Sequence, residues 1–122
     1  MSTNVVVRVI GSDDCIEYHF EYENEVGNSW IEFFSDVNVA ISMAINVNKD
    51  CRGQGLGKSL YAFVEEYAKN LGAKRILADE RPLFKEDVVI VKNFYDGCGF
   101  EKLKRRRTFK GRDHNRIKLL EH

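Results

Sequence analysis

Along residues 16–23, apolar and polar side chains alternate without a break. Ile16, Tyr18, Phe20 and Tyr22 fall on one side, and Glu17, His19, Glu21 and Glu23 on the other. A period of two with one apolar side is the pattern of a half-buried strand. Residues 4–10 form a β-branched run that reads as a strand before it, with Gly11-Ser12-Asp13-Asp14 as the turn between. After a second turn at 24–28, residues 29–34 read as a third strand and 37–47 as a fourth. From Val39 on, the fourth is apolar on both faces except at Ser42 and Asn46, as expected of a central strand. The period then changes. Leu56, Leu60, Phe63, Val64, Tyr67, Ala68 and Leu71 recur at helical steps, and Gly72 stops the stripe. Residues 74–79 give a fifth strand. Residues 86–97 give a second helix opened by Lys85-Glu86-Asp87, although β-branched 88–91 also suits a strand. Residues 100–109 and 116–120 are the last strands, with a turn at 111–115. The predicted order is ββββαβαββ, an α/β (α+β) chain with a central sheet of about seven strands and two main helices over it.

Composition narrows the class. A chain of 122 residues with 43% hydrophobic content and one proline is expected to be a single domain over residues 1–119. There is no long apolar run for a membrane span and no signal-peptide pattern at the start, so a cytoplasmic location is expected. Leu120, Glu121 and His122 read as the start of an expression-tag remnant and are set aside from functional reasoning. Cys15, Cys51 and Cys98 are odd in number and far apart, which speaks against a disulfide framework or a zinc site; no metal is expected. Net charge is zero, yet residues 1–50 carry nine acidic and two basic side chains, and the rest of the chain ten and seventeen. The basic part suits an anionic ligand and the acidic part a cationic amine, although charged outer faces and edges also serve solubility.

The stretch Arg52-Gly53-Gln54-Gly55-Leu56-Gly57-Lys58-Ser59 lies between the fourth strand and the first helix. A glycine-rich turn that opens a helix presents backbone N–H groups at the positive end of the dipole, where phosphate oxygens bind. The spacing is not that of a Walker loop, whose first Gly would fall at Arg52. Nor is it a dinucleotide fingerprint, whose third Gly would fall at Lys58 or Leu60. Arg/Gln-x-x-Gly-x-Gly/Ala does fit, at Arg52, Gly55 and Gly57. Downstream, Tyr95-Asp96-Gly97-Cys98-Gly99-Phe100 fits Tyr-x-x-x-Gly-Phe.

In order and spacing these two motifs resemble those of the GNAT superfamily of acyl-CoA-dependent N-acyltransferases, over about residues 37–120. The resemblance implies a mixed, mostly antiparallel sheet, acetyl-CoA as acyl donor, and an amine acceptor that attacks directly in a ternary complex. It assigns the pyrophosphate to Arg52, Gly53, Gln54, Gly55, Leu56, Gly57, Lys58 and Ser59. It assigns the pantetheine arm to the backbone of Ile45, Asn46 and Val47, at a bulge where strand four splays from strand five. Tyr95 becomes the candidate acid for the departing thiolate. Candidates for the base are Glu32 on strand three and Asp79 or Glu80 at the end of strand five. His19 and His114 are weaker candidates, His114 being expected in a surface turn.

The chain departs from the family in two places. The position seven residues before Tyr95, often Asn in the family, is Val88, and Asn93 faces elsewhere. The helices that usually lie between strands one and two have no room in 11–15, which points to an open acceptor surface, a homodimer-built site or a protein acceptor. Lys102, Lys104, Arg105, Arg106, Arg107, Lys110 and Arg112 form a basic cluster. It reads as a charged edge hairpin, a contact for the 3′-phosphate of CoA, or a nucleic-acid or acidic-protein surface. The second of two functional hypotheses is therefore a non-catalytic module of the same fold that binds a protein or nucleic acid.

Overall fold

The structure, a computed structural model, describes residues 4–12, 14–81 and 87–121. Asp13 of the expected turn, Lys85 and Glu86 of the expected helix start, and His122 lie outside the described residues. The elements run β1 (Val5–Ser12), β2 (Cys15–Tyr22), β3 (Gly27–Phe34), β4 (Val39–Val47), a 3-10 turn (Lys49–Cys51), α1 (Leu56–Leu71), β5 (Arg75–Ala78), α2 (Val88–Gly97), β6 (Glu101–Phe109) and β7 (Arg112–Leu119). They form one sheet in the order β1-β2-β3-β4-β5-β7-β6, so β4 is its middle strand. Among the described residues, only the β4/β5 pair is parallel.

Alternation in β2 reads out directly as burial. Tyr18, Phe20 and Tyr22 pack into the main core with Leu56, Leu60, Val64 and Ala68 of α1 and Tyr95 of α2. Both helices therefore cover the same face. The Tyr22 hydroxyl donates to the Leu56 carbonyl at 2.9 Å, which ties the start of α1 to the sheet. The 88–91 run is helical: its first residues, Val88, Val89 and Ile90, are exposed, and helix packing is set by Val91, Phe94 and Tyr95.

Two expected turns are shorter than the sequence indicated. The β1/β2 ladder continues through Gly11 and Ser12, which pair with Ile16 and Cys15. Gly11 has φ 129°, and a Cβ there would stand 2.7 Å from the Cys15 carbonyl oxygen. At the other end, β7 begins at Arg112 and not at 116, because Lys110 (φ 52°) and Gly111 (φ 79°) make a two-residue hairpin turn. Two adjacent residues with positive φ match the twist of a hairpin and let the ladder start at once. His114 is consequently a buried strand residue, not a surface turn residue. Leu120 belongs to the main core, and its N–H donates to the Lys74 carbonyl.

The opposite face of the sheet has its own cluster, Phe34, Val39, Ile41 and Leu77, with Met43, Phe109 and Ile117 packed against it. Neither helix contributes to it. The tip of the β6/β7 hairpin folds over this face: Phe109 meets Phe34 edge-on at 6.0 Å, Lys110 reaches Asp36 at 2.9 Å, and Arg112 reaches Glu32 on β3. β3 lies three places from β7 in the sheet, so these contacts require the hairpin to curl across it. The charged edge hairpin expected from sequence is in this part a lid for the second core.

Candidate functional site

Gly55 is the N-cap of α1 with φ 75°, and Gly53 has φ 84°. Both sit in the left-handed region that glycine adopts without strain. A Cβ on either would meet nothing within 4 Å, so the space above them is open. The N–H groups of Leu56, Gly57 and Lys58 open the helix without intrahelical acceptors, and no side chain caps them. Gly57 is glycine for a different reason: its Cβ would stand 3.3 Å from the Phe94 ring and 3.6 Å from Val47, so it lets α1 approach α2 and β4. The Lys58 ammonium turns toward Gly97 at the end of α2. Arg52 folds back, its Nε 3.5 Å from the Val47 carbonyl.

β4 carries the second element of the site. Ile31 pairs with Ser42 and Trp30 with Ala44, which leaves Met43 as an extra residue. The bulge thus lies at Met43, just before the expected Ile45. It shifts the alternation by one, so that Ile45 and Val47, like Ala40 before the bulge, join the helix-side core. Ser29 donates its hydroxyl to the Ala44 carbonyl at 2.6 Å and satisfies a group beside the bulge. Pairing with β5 covers only Val39 to Ser42, after which the two strands part. At the fork, Ser42 buries a hydroxyl that has no partner among the described residues.

The third element is Tyr95. Phe100 N–H donates to the Tyr95 carbonyl at 3.0 Å, and Gly99 (φ 87°) reverses the chain between them. The Tyr95 ring is held edge-on between Phe94 (5.5 Å) and Phe100 (5.3 Å). The Tyr-x-x-x-Gly-Phe motif is thus a helix ending that packs its own tyrosine. Burial, with smaller contributions from Cys98 and Asp79, pushes the Tyr95 phenol up to about 12. The group stays protonated throughout the physiological range.

These three elements enclose a cavity of about 370 Å³. Ile45, Asn46 and Val47 form one wall, Arg52, Gly53, Gly55, Leu56, Gly57 and Lys58 the loop end, and Ile90, Val91, Phe94 and Tyr95 the α2 wall. Cys51 and Asp87, not singled out from sequence, also line it. Gln54 and Ser59 are not among the lining residues.

The expected bases are not brought to this cavity. Glu32 lies on the hairpin-covered face, where Arg112 grips both oxygens at 2.6 and 3.1 Å and Cys15 donates its thiol at 3.4 Å. The Arg112 hydrogen bonds outweigh burial and hold the Glu32 carboxyl below its usual range. Burial acts to raise the Glu80 carboxyl, but hydrogen bonds from Lys102 and Arg116 overcome it and leave the group depressed. Asp79 is held bidentately by Arg106 at 2.8 and 2.9 Å. His19 stacks flat on Trp30 at 5.1 Å. Burial lowers the His114 imidazole, which favours its neutral form.

Arg116, also not singled out from sequence, is 1% exposed. It donates to Glu80 (2.7 Å), to Asp96 (2.7 Å) and to the Phe100 carbonyl (3.1 Å), joining the end of β5 to the turn that follows Tyr95. Of the basic cluster, Lys102, Arg106, Lys110 and Arg112 are committed to carboxylates. Lys104, Arg105 and Arg107 have no ion pair among the described residues. Among these residues no His/Cys/Asp/Glu group is arranged to hold a metal, the three cysteines are free, and no helix is long and apolar enough to cross a membrane.

Comparison with known proteins places this geometry. The model of the acetyltransferase (GNAT) family matches residues 15–100. Among solved structures, a GNAT family acetyltransferase from Elizabethkingia anophelis with acetyl-CoA bound is 14% identical and aligns over 98% of this chain and 100% of its own, with a TM-score of 0.61. An IAA acetyltransferase from Bacillus cereus is 16% identical, over 93% and 95% of the two chains, with a TM-score of 0.60. Mutant forms of a spermidine/spermine N-acetyltransferase from Vibrio cholerae are 17% identical, over 88% and 68%, with a TM-score of 0.62. At these identities the likeness is one of fold. No curated protein matches significantly.

Proposed function

The chain belongs to the acetyltransferase (GNAT) family, and we propose that it transfers an acetyl group from acetyl-CoA to an amine by direct attack in a ternary complex. The observation that carries this reading is the single cavity in which the glycine loop, the strand edge freed by the bulge and Tyr95 meet. Open N–H groups at the loop end suit a pyrophosphate. An extended, amide-bearing pantetheine arm suits the side of β4 that β5 has left, where backbone groups are available as they would be to another strand.

In the reaction the neutral amine nitrogen attacks the thioester carbonyl carbon. A β4 backbone N–H stabilises the oxyanion as it forms. The tetrahedral intermediate then collapses, the C–S bond breaks, and sulfur leaves with its electron pair. Tyr95 donates a hydrogen bond to that sulfur. A thiol titrates near 8.5, so full proton transfer from a phenol near 12 is uphill by roughly 5 kcal/mol. Tyr95 therefore keeps its proton and stabilises the developing thiolate through the hydrogen bond, and the thiolate takes up from water the proton that the amine releases. The amine proton leaves through water, since Glu32, Glu80 and Asp79 are engaged elsewhere.

Titration calorimetry with acetyl-CoA tests the reading, with Gly55→Glu as control. Micromolar binding that the variant loses supports it. Absent binding by the wild type refutes it and turns attention to a non-catalytic module. In thiol-release assays with responsive amines, Tyr95→Phe lowers kcat about 10²-fold or more while leaving acetyl-CoA affinity within about twofold. Unchanged turnover would remove Tyr95 from the chemistry.

A further inference from the structure

A second cleft, of about 450 Å³, opens on the other side of the β5 end, between Glu80–Arg81 and β6. Its origin is a break in the β6/β7 ladder. Lys102 pairs with Arg116 and Arg107 with His114, so residues 103–106 of β6 stand opposite Asn115 alone. This outsized bulge turns a basic stretch of strand into one wall of a pocket. Arg81, Lys102, Lys104, Arg106 and Asn115 line it, and Glu80 is the one carboxylate in its lining among the described residues.

Among the described residues, the four lining cations outnumber the three carboxylates they pair with. Glu80 is already held by Arg116 at 2.7 Å and by Lys102 at 2.7 Å, and the Asn115 side-chain oxygen is taken by the Glu80 N–H at 2.9 Å. Asp79, beside the cleft, is held by Arg106. Arg81 is 61% exposed and makes ion pairs with Asp79 (3.5 Å) and Asp113 (3.8 Å). Lys104 has no ion pair among the described residues. The acceptors are thus occupied, and one lining cation remains without a counter-charge among the described residues. Bunched cations with too few counter-charges are relieved by an anion, through charge-assisted hydrogen bonds.

Position ties this cleft to the chemistry. Glu80 is joined through Arg116 to Asp96, the neighbour of Tyr95, so a chain of ion pairs links the lining of the cleft to the α2 wall of the first cavity. We infer that the cleft is an anion subsite for the acceptor, which is therefore an amine that also carries a carboxylate or a phosphate. The inference rests on the transferase reading above. A polyamine without an anionic group would meet Arg81 and Lys104 and gain nothing there.

Inorganic phosphate and acetate serve as probes in a ¹⁵N NMR titration of the whole chain. Both are expected to shift the Leu103 and Lys104 amides and the Asn115 side-chain amide in a saturable way. The Arg81→Glu/Lys104→Glu double variant weakens this by about tenfold or more, while its circular dichroism and its acetyl-CoA affinity by calorimetry stay at wild-type values. Shifts spread evenly over all surface cations, or saturation unchanged in the variant, would overturn the subsite. Acetyl-CoA affinity lost together with phosphate binding would assign the cleft to the donor's own phosphate and overturn the acceptor assignment. Preferential displacement of phosphate by a short RNA, with shifts centred on Arg105 and Arg107, would do the same. Thiol release then compares amines bearing a carboxylate, a phosphate or neither. The anionic class that gains in kcat/KM, and loses that gain in the double variant, identifies the group. Equal rates for all three overturn the inference. If acetyl-CoA fails to bind the wild type, the transferase reading fails by itself, while the phosphate titration still reports on the cleft.

Discussion

Replacing Arg116 with methionine removes a guanidinium that is 1% exposed and makes three hydrogen bonds, while keeping an unbranched stem in the same space. Its second terminal nitrogen also lies 2.6 Å from Glu80, too poorly aligned to count as a further bond. The variant leaves Glu80, 11% exposed, with Lys102 as its remaining cation, and leaves the Phe100 carbonyl without its side-chain donor. Asp96 is half in water and retains Lys92 at 2.8 Å. Removing one partner of a buried pair costs about 3–5 kcal/mol when the other is stranded. Because Glu80 retains Lys102, the expected loss is smaller, about 2–3 kcal/mol. Urea unfolding at neutral pH measures it as a midpoint lowered by roughly 1–2 M at an ordinary slope. The pH dependence separates charge from shape. The Glu80 and Asp96 carboxyls are held below their ordinary values in the folded chain. The stability they bring is complete above about pH 4.5 and is lost as pH falls through their depressed folded values. The gap between wild type and variant should therefore narrow on acidification. A gap of the same size at both ends of this range would show that packing, not ion pairing, is what arginine supplies. A neutral-pH loss under about 0.5 kcal/mol would refute the reasoning altogether.

Three further outcomes are expected. Gly55→Ala places a side chain at φ 75° in open space, so it costs about 1–2 kcal/mol of backbone strain in thermal unfolding and weakens acetyl-CoA binding; Gly57→Ala, crowded by Phe94 at 3.3 Å but favoured by helix propensity, changes stability less. Phe109→Ala uncovers the second core and lowers stability by about 1–2 kcal/mol, read as faster exchange of β4 and β5 amides; unchanged protection there would mean the hairpin covers nothing. Glu32→Gln loses the Arg112 clamp, so it is less stable than wild type near neutrality, and the two converge as pH drops through the depressed Glu32 value; parallel curves would contradict this.

Local order was legible from the chain because it has a short period. The β2 alternation and the Leu56–Leu60–Val64–Ala68 stripe of α1 are the faces that are buried. The glycine loop was legible because positive φ has few alternatives to glycine, although at Gly57 it is helix packing against Phe94 and Val47 that leaves little room for a Cβ. What escaped depends on contacts without period. The bulge was expected only through the family resemblance, since a run that is apolar on both faces does not place it at Met43. Arg116 looks like a surface residue until Glu80, Asp96 and Phe100 surround it. Glu32 qualified as a base on residue type, and only the fold reveals Arg112, 80 residues away, on its oxygens.

That last distance also dictates a sequence of events in biosynthesis. Phe34, Val39 and Ile41 leave the ribosome long before the hairpin tip that covers them, and Lys110 and Arg112 meet partners 74 and 80 positions earlier in the chain. Closing such distant contacts is slow relative to forming helices and local hairpins. During synthesis the helix-side half can assemble while an apolar sheet face stays bare to solvent. The nascent chain is therefore most prone to self-association, and most in need of a holding chaperone, just before the β6/β7 hairpin emerges.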